Sequence, residues 1–256
     1  MMNQENFYVV GIGASAGGLD AVQQLFDNLP DNPGMAFIIV QHLSPDFKSL
    51  MPELLSKHTN MEIFTAEEGL EIQPNCIYLN QRSKNLVLNG NKLNLPEKSP
   101  KETLNHPIDI FFNSLGKFYR DKSIGVILSG TGSDGSRGIK AIKEEGGTIL
   151  VQDPDSAQFN GMPNAAILTH LADFVLQPYG IAKKLIHYTK TKPDIGTESI
   201  EDGTTGQFFQ KILTEIQKFS GVNFKKYKYN TLLRRIEKRM SLQNIQSLEN
   251  YYKLIA

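Results

Sequence analysis

Residues 11–20, with the sequence GIGASAGGLD, place one serine in a glycine-rich segment between an apolar run and an amphipathic one. Counted from Gly11, the segment satisfies G-x-G-x-x-G/A, the fingerprint of a turn that binds the phosphates of a dinucleotide. Counted from Gly13, it satisfies G-x-S-x-G, the pattern of a turn that presents a nucleophilic serine, here Ser15. Both patterns require a strand, a turn and a helix, so this segment alone leaves cofactor binding and nucleophilic catalysis open.

The next apolar run, MAFIIVQ at 35–41, is followed by His42 and helps to distinguish the two interpretations. A dinucleotide-binding fold needs an acidic residue at the end of its second strand to hold the ribose hydroxyls. Asp31 has roughly the right spacing from the glycine-rich segment, but it precedes the run in a turn-forming PDNPG segment, so the cofactor interpretation weakens. An imidazole at the end of this strand favours catalysis, because a serine hydroxyl needs a base to take its proton.

A third functional group follows the apolar run SIGVILS at 123–129, in the glycine-rich segment GTGSDGSRG. Asp134 in that segment is expected to orient His42 and to stabilise its protonated form, as the acid of a Ser–His–Asp triad does. Backbone N–H groups of the same turn are expected to stabilise an oxyanion. Each residue also has a simpler interpretation: Ser15 as a small turn residue, Asp134 as the N-cap of the following helix, and His42 as a hydrogen-bonded strand-end residue.

The remaining titratable and sulfur groups lack a comparable context. We expect the other histidines to be structural or to lie on the surface: His58, His106, His170 and His187. No grouping of Cys, His, Asp and Glu has the spacing of a zinc site, so no metal is expected. The single cysteine, Cys76, lies in an apolar run and is expected in the core. One cysteine also excludes an internal disulfide.

Alternating apolar and amphipathic segments must position these groups. Continuous apolar runs predict buried strands at 7–12, 35–41, 123–129 and 147–152. Amphipathic segments predict helices at 18–29, 134–145 and 162–171. The alternation predicts an α/β fold, a doubly wound and mostly parallel sheet with helices on both faces. Residues 76–95 alternate apolar and polar around Asn89-Gly90, so an antiparallel hairpin attached to that sheet is also expected.

The chain of 256 residues divides at a polar segment rich in Thr, Gly and acidic residues. We expect a first domain over 1–188, a linker over 189–207 and a small all-α segment over 208–256. The last segment holds 10 Lys or Arg and 3 Asp or Glu. This charge is typical of a region that binds an acidic partner, and a solvated helical face is the alternative. The sequence has no recognisable signal peptide or membrane-spanning apolar stretch, so we expect a cytoplasmic location without direct membrane insertion.

Five segments follow one another between about residues 7 and 180: GIGASAGG, VQHL, SGTGSDGSRG, VQDPDSAQFNGMPNAAI and LADFVLQP. Together they resemble the catalytic domain of the CheB-type chemotaxis protein-glutamate methylesterases. The resemblance implies a serine hydrolase that removes methyl groups from glutamate methyl esters on chemoreceptors. Many members of the family also deamidate receptor glutamines, so the resemblance implies that activity as a further possibility. It implies no cofactor for the esterase.

Carried over by position, the resemblance implies that Ser15 is the nucleophile, His42 the general base and acid, and Asp134 the residue that orients His42. The backbone N–H of Thr131 corresponds to an oxyanion donor of the family. The family usually has Met at that position, but only the backbone is needed there.

Ala16 departs from the family, which usually has Thr directly after the nucleophile. A supporting hydroxyl is therefore missing, and this loss suggests an alternative function, a catalytically weak module that binds a receptor or another partner. Ala16 and Met162 are the candidates for the substrate cleft.

The segments FFQKILTEIQKFSGVNF and LLRRIEKRM resemble the helical N-terminal part of the CheR-type receptor methyltransferases. That resemblance implies receptor contact through basic residues, for which the candidates are Arg234, Arg235, Lys238 and Arg239. Because methyltransferases bind S-adenosylmethionine in a later domain, the chain is expected to be a truncated esterase–methyltransferase fusion. The expected partners are the methylated cytoplasmic helices of chemoreceptors, with no nucleic acid.

Overall fold

The structure, a computed structural model, describes residues 7–42, 50–98, 105–190 and 204–221, with 247–256 and parts of 223–245. The chain separates into two compact units, Met1–Ile186 and His187–Ala256. All described strands belong to the first unit, whereas the regular elements described beyond residue 190 are helices. No helix in these parts of the chain combines the length and the apolar character needed to cross a membrane.

The elements are numbered along the chain. The strands are β1 (Tyr8–Ala14), β2 (Met35–Gln41), β3 (Glu62–Thr65), β4 (Cys76–Leu79), β5 (Val87–Asn89), β6 (Lys92–Asn94), β7 (Ser123–Ile127), β8 (Thr148–Gln152) and β9 (Phe174–Leu176). The helices are α1 (Gly18–Phe26), α2 (Met51–Leu55), α3 (Pro107–Tyr119), α4 (Gly138–Glu144), α5 (Gly161–Leu168), α6 (Pro178–Lys190), α7 (Thr204–Ser220) and α8 (Leu248–Ile255).

Seven strands form one sheet in the order β3-β4-β2-β1-β7-β8-β9, and every neighbouring pair is parallel. Successive side chains of a strand point to opposite faces of the sheet. Nearly all residues of β1 and β2 are buried whichever way they point, so both faces of the sheet centre are covered. The continuous apolar runs produce this burial, and the predicted doubly wound α/β fold is confirmed.

The register of the central strands brings three strand ends to one edge of the sheet. Ala14 at the end of β1 pairs with Gln41 at the end of β2, and Gly13 pairs with Ile127 at the end of β7. The chain runs from β1 outward on one side and later returns to β7 on the other side. The loops after β1, β2 and β7 therefore leave the sheet side by side, near the point where its winding reverses.

The hairpin predicted over 76–95 is wrong in extent. Residues Cys76–Leu79 are all buried and form a parallel strand of the main sheet, paired with β2 and β3. Only β5 and β6 pair in antiparallel fashion, around Gly90 at φ 64°, and they form a separate two-stranded sheet. Cys76–Leu79 belongs to the main sheet because its side chains are buried on both faces, whereas a hairpin with one solvated face would alternate buried and exposed residues.

All three predicted helices differ in their limits from the observed ones. The helix predicted over 18–29 ends at Phe26. The segment predicted as a helix from 134 begins as one only at Gly138, because positive φ angles at Gly132 and Gly135 keep the chain in turns before it. The segment predicted over 162–171 is helical over Gly161–Leu168.

The second unit has its own small core. Phe209 and Ile212 of α7 and Leu248 of α8 are buried in it. Helix α7 precedes Gly221, whose φ of 68° is typical of a helix C-terminus. The helices α6 and α7 extend into both ends of the interval 189–207 predicted as a linker, and residues 191–203 lie outside the described part of the chain.

Candidate active site

Ser15 lies in the turn that joins β1 to α1. Its backbone N–H donates to the carbonyl of Ser129 at 2.9 Å, and its own carbonyl accepts the N–H of Gly18 at 2.8 Å. Gly17 adopts a left-handed conformation at φ 68°, which permits the sharp change from strand to helix. The Ser15 side chain therefore leaves the carboxyl edge of the sheet on a turn that is fixed at both ends.

His42 follows the last residue of β2 and connects two of the predicted residues. Its Nδ1 lies 3.1 Å from the Oγ of Ser15, and its Nε2 lies 2.9 Å from Oδ2 of Asp134. The imidazole is about one-third exposed, whereas the Asp134 side chain is 3 % exposed. The structure thus brings Ser15, His42 and Asp134 into one continuous hydrogen-bonded chain, with the serine end towards solvent.

One neutral tautomer of His42 satisfies both contacts. With its proton on Nε2, the imidazole donates to the Asp134 carboxylate and leaves the Nδ1 lone pair facing the Ser15 hydroxyl. The serine can then donate its proton to Nδ1. A carboxylate that holds the far nitrogen in this way fixes the tautomer and favours the imidazolium formed afterwards.

Backbone amides hold the Asp134 carboxylate from three directions. Ile108 and Asp109 in the first turn of α3 donate at 3.0 and 2.9 Å, and Gly135 donates at 2.8 Å. Burial alone would raise the pKa of Asp134. The hydrogen bonds from His42 and from the two α3 amides outweigh that effect and hold the pKa below its ordinary value, so the carboxylate is charged at neutral pH.

The simpler interpretation of Asp134 as a cap of the following helix is wrong. Asp134 caps α3, which precedes it in the chain, whereas the following helix α4 is capped by Asp109. The carboxylate of Asp109 accepts the backbone N–H groups of Gly138 at 2.6 Å and Arg137 at 3.0 Å. Asp134 therefore stabilises α3, the helix that contains Asp109, and Asp109 stabilises α4, the helix that follows Asp134.

The predicted oxyanion turn lies directly beside Ser15. A Cβ atom placed on Gly130 would lie 2.9 Å from the Cβ of Ser15 and 2.1 Å from the sulfur of Met162. Thr131, the next residue, is exposed, and Ala16 is half-buried. Met162 is fully buried and packs under this turn, so it supports the turn and does not line an open cleft as predicted.

Asp31, the acid considered for a dinucleotide site, lies away from the carboxyl edge. It precedes β2, and its Oδ2 accepts a hydrogen bond from Asn60 at 3.1 Å. The residue that follows β2 is His42, so the described site carries no acid where a dinucleotide-binding fold would use one.

Sequence reasoning missed two residues near Asp134. His106, expected to be structural or exposed, has its Nδ1 3.8 Å from Oδ1 of Asp134, and Asp109 is buried close by. Potential ligand atoms of these three residues lie within 4.8 Å of one another. The carboxylate oxygens already accept backbone N–H groups, however, so the cluster fits helix capping better than metal binding. The segment HPID could have indicated the start of α3 beside these residues, because proline is favoured at the first position of a helix and Pro107 occupies it.

The other predicted residues lie in the second unit or, in the first unit, on its surface or, for Cys76, in its core. His58 pairs with Asp27 at 2.8 Å on the surface, and Cys76 is buried as predicted. Of the four basic candidates for receptor contact, Arg235 and Arg239 are exposed, and Arg234 and Lys238 lie outside the described residues.

The fold and the groups at its edge define a class: α/β proteins with a Ser–His–Asp constellation at adjacent strand ends. A family model described as CheB methylesterase matches residues 10–185, which is more than half of the chain. The chain belongs to the CheB methylesterase family, and the resemblance found in the sequence is confirmed. A model described as CheR methyltransferase, all-alpha domain, matches residues 207–256.

Individual relatives agree with this assignment. A putative protein-glutamate methylesterase/protein-glutamine glutaminase of Leptospira interrogans is 36% identical over 182 residues, covering 71% of this chain and 94% of that protein. An uncharacterized 104.1 kDa protein of Rhodobacter capsulatus is 33% identical over 227 residues, which is 80% of this chain but 24% of that protein. The crystal structure of the Thermotoga maritima CheB methylesterase catalytic domain superposes with a TM-score of 0.68 at 30% identity, covering 72% of this chain and 99% of the other.

Proposed function

We propose that this chain is a serine hydrolase that removes methyl groups from glutamate methyl esters on chemoreceptors. The observation that carries the proposal is the hydrogen-bonded chain from Ser15 through His42 to Asp134, with contacts of 3.1 and 2.9 Å. Family membership supports the substrate class, because relatives carry the name protein-glutamate methylesterase.

In the first half of the reaction, the Oγ of Ser15 attacks the ester carbonyl while its proton passes to Nδ1 of His42. The backbone N–H of Thr131, in the turn beside Ser15, stabilises the negative charge on the carbonyl oxygen. When the intermediate collapses, His42 returns the proton to the leaving methoxide and methanol departs. Asp134 stabilises the imidazolium through Nε2 in both directions.

In the second half, His42 takes a proton from water as the water oxygen attacks the acyl group on Ser15. The bond from the acyl carbon to the Oγ of Ser15 then breaks, His42 returns the proton to that oxygen, and the glutamate carboxylate is released. A glutamine side chain would follow the same path with ammonia as the leaving group, so the deamidase activity named for relatives is proposed too. Side chains and backbone amides carry every proton and charge in this scheme. We therefore propose no cofactor for the esterase, and S-adenosylmethionine only for a methyltransferase part.

The proposed partner is the methylated cytoplasmic helix of a chemoreceptor, which places the protein in the cytoplasm. We propose that residues 1–188 act on this helix and that the basic segment 208–256, after the linker 189–207, helps to bind it. Arg235 and Arg239 are exposed and available for acidic residues of such a helix. Reversing both charges should weaken binding of the receptor fragment and leave hydrolysis of a small methyl ester unchanged.

Methanol release from a methylated receptor fragment tests the proposed activity. The wild-type chain should release methanol, and the Ser15→Ala variant should release none above background. Ser56→Ala is the matched control, because Ser56 is exposed and its hydroxyl donates to the carbonyl of Glu53 at 3.0 Å. Release that survives in Ser15→Ala would contradict the mechanism. Receptor binding without any turnover would favour the binding module instead.

A further inference from the structure

Ser129 is a fully buried serine two residues after the end of β7, directly before the turn at Gly130 and Thr131. Its backbone carbonyl accepts the N–H of Ser15 at 2.9 Å, and its backbone N–H donates to Oε1 of Gln152 at 2.8 Å. The main chain of Ser129 therefore already joins the nucleophile turn to the end of β8.

The hydroxyl of Ser129 makes two further contacts with the surroundings of Ser15. It accepts the N–H of Phe159 at 3.0 Å and lies 2.9 Å from the carbonyl oxygen of Ala16. The carbonyl of Phe159 is farther away, at 3.3 Å, and already accepts the N–H of Gly130. Since a hydroxyl has one proton, that proton goes to Ala16.

The contact with Ala16 matters because it fixes the second peptide unit of the turn. The peptide between Ser15 and Ala16 is held by Gly18, which donates to the Ser15 carbonyl. The next peptide, between Ala16 and Gly17, contains a glycine at φ 68°, and glycine tolerates many backbone conformations. The Ser129 hydroxyl is the group that fixes the carbonyl of this second unit.

We propose that Ser129 is a positioning residue for catalysis, whose hydroxyl holds the turn so that Ser15 faces His42. The inference rests on the proposed role of Ser15 as nucleophile. The distance of 3.1 Å between Ser15 and His42 is near the long end of the hydrogen-bond range, so a small shift of the turn would break the contact. Ser129 also supplies a hydroxyl beside Ala16. The Ala16 side chain itself lacks the hydroxyl that the usual threonine of the family has at this position.

Ser123 provides a matched control for a merely structural role. It is the first residue of β7, is equally buried, and its hydroxyl donates to the backbone carbonyl of Arg120. Removing either hydroxyl takes a hydrogen bond from a backbone carbonyl, so both variants should lose stability. Ser129 alone lies next to the nucleophile.

A serine-directed fluorophosphonate tests the proposal without depending on the receptor. In this reaction the Oγ of Ser15 bonds to phosphorus, fluoride leaves, and the serine proton passes to His42. In the full chain, Ser129→Ala should lower the maximal labelling rate of Ser15 by at least about tenfold, because misplacement of a reacting atom costs rate. The probe concentration for half-maximal rate should stay the same. Ser123→Ala should label within about twofold of wild type at a temperature where both variants are folded.

Three results would overturn the positioning role: Ser129→Ala labelling at the wild-type rate, Ser123→Ala slowing to the same degree, or a wild-type chain whose Ser15 is not labelled. Failure of the proposed function has a different signature. A wild-type chain that labels at Ser15 but releases no methanol from the receptor fragment would contradict the esterase and leave the role of Ser129 supported.

Discussion

The backbone N–H of Asp109 donates to the Asp134 carboxylate at 2.9 Å, and the Asp109 carboxylate accepts the N–H of Gly138 at 2.6 Å. Each acid thus satisfies amides at a helix N-terminus that have no partner within the helix. Both side chains are buried, so the two caps form one unit under the site. The orientation of His42 depends on this unit through its contact with Asp134.

Asp109→Ala should lower the free energy of unfolding by about 1–3 kcal/mol, because it leaves the amides of Arg137 and Gly138 without a buried acceptor. The Asp109 backbone N–H remains available to Asp134, so kcat of the folded variant should fall less than about tenfold. Urea unfolding and methanol release measure the two effects. Asp155→Ala, at an exposed position, should change stability by less than about 0.5 kcal/mol. Equal losses for both variants would contradict the capping role.

The lowered pKa of Asp134 predicts a specific dependence of stability on acid. A carboxyl whose pKa is lower in the folded than in the unfolded state binds fewer protons when folded. Its stabilising contribution is complete above the unfolded pKa of about 3.9 and is lost as the pH falls through the folded value. Urea unfolding at several pH values should therefore show a smaller wild-type advantage over Asp134→Asn below pH 4 than at pH 7. A difference that stays constant over this range would argue against the charged carboxylate.

The sheet and the strand-end residues were predictable because their signals are local. β1, β2, β7 and β8 are continuous apolar runs, and each of the groups predicted for catalysis follows such a run closely in the sequence. Parallel pairing then places the ends of β1, β2 and β7 at one edge without further information. The catalytic roles of Ser15, His42 and Asp134 stay predictions until variants are measured.

The errors concern contacts between distant parts of the chain. Asp109 and Asp134 are 25 residues apart, and nothing near either one indicates that the two caps are exchanged between α3 and α4. Met162 was placed in the cleft from its motif, yet packing under Gly130 buries it. Cys76–Leu79 shows no clear alternation of apolar and polar residues. It lies upstream of the Asn89-Gly90 turn, and the predicted hairpin included it, whereas the hairpin that forms contains only β5 and β6.

Two histidines lie near Asp134, and their variants should behave differently. His106 is 3.8 Å from the carboxylate, beyond hydrogen-bond distance, whereas His42 contacts both Asp134 and Ser15. His42→Ala should lower kcat for methanol release by about a thousandfold or more, and His106→Ala by less than about threefold. His58→Ala, at a surface pair with Asp27, serves as the control for loss of any imidazole. If the His106 variant were as inactive as the His42 variant, the assignment of His42 as the catalytic base would be contradicted.

Gly130→Ala should abolish most activity through the nucleophile turn. The added Cβ would lie 2.1 Å from the sulfur of Met162, which is flexible, but also 2.9 Å from the Cβ of Ser15, which is not. Because the sulfur can move aside, the displacement falls on Ser15, and kcat should drop by about a hundredfold or more. Gly116→Ala is the matched control, since its Cβ would lie 2.7 Å from the backbone of Ala141 between α3 and α4. Both substitutions should cost about 1–3 kcal/mol of stability by overpacking. Methanol release by the folded variants separates the two: a Gly130 variant that keeps the kcat of the Gly116 variant would show that the turn does not control Ser15.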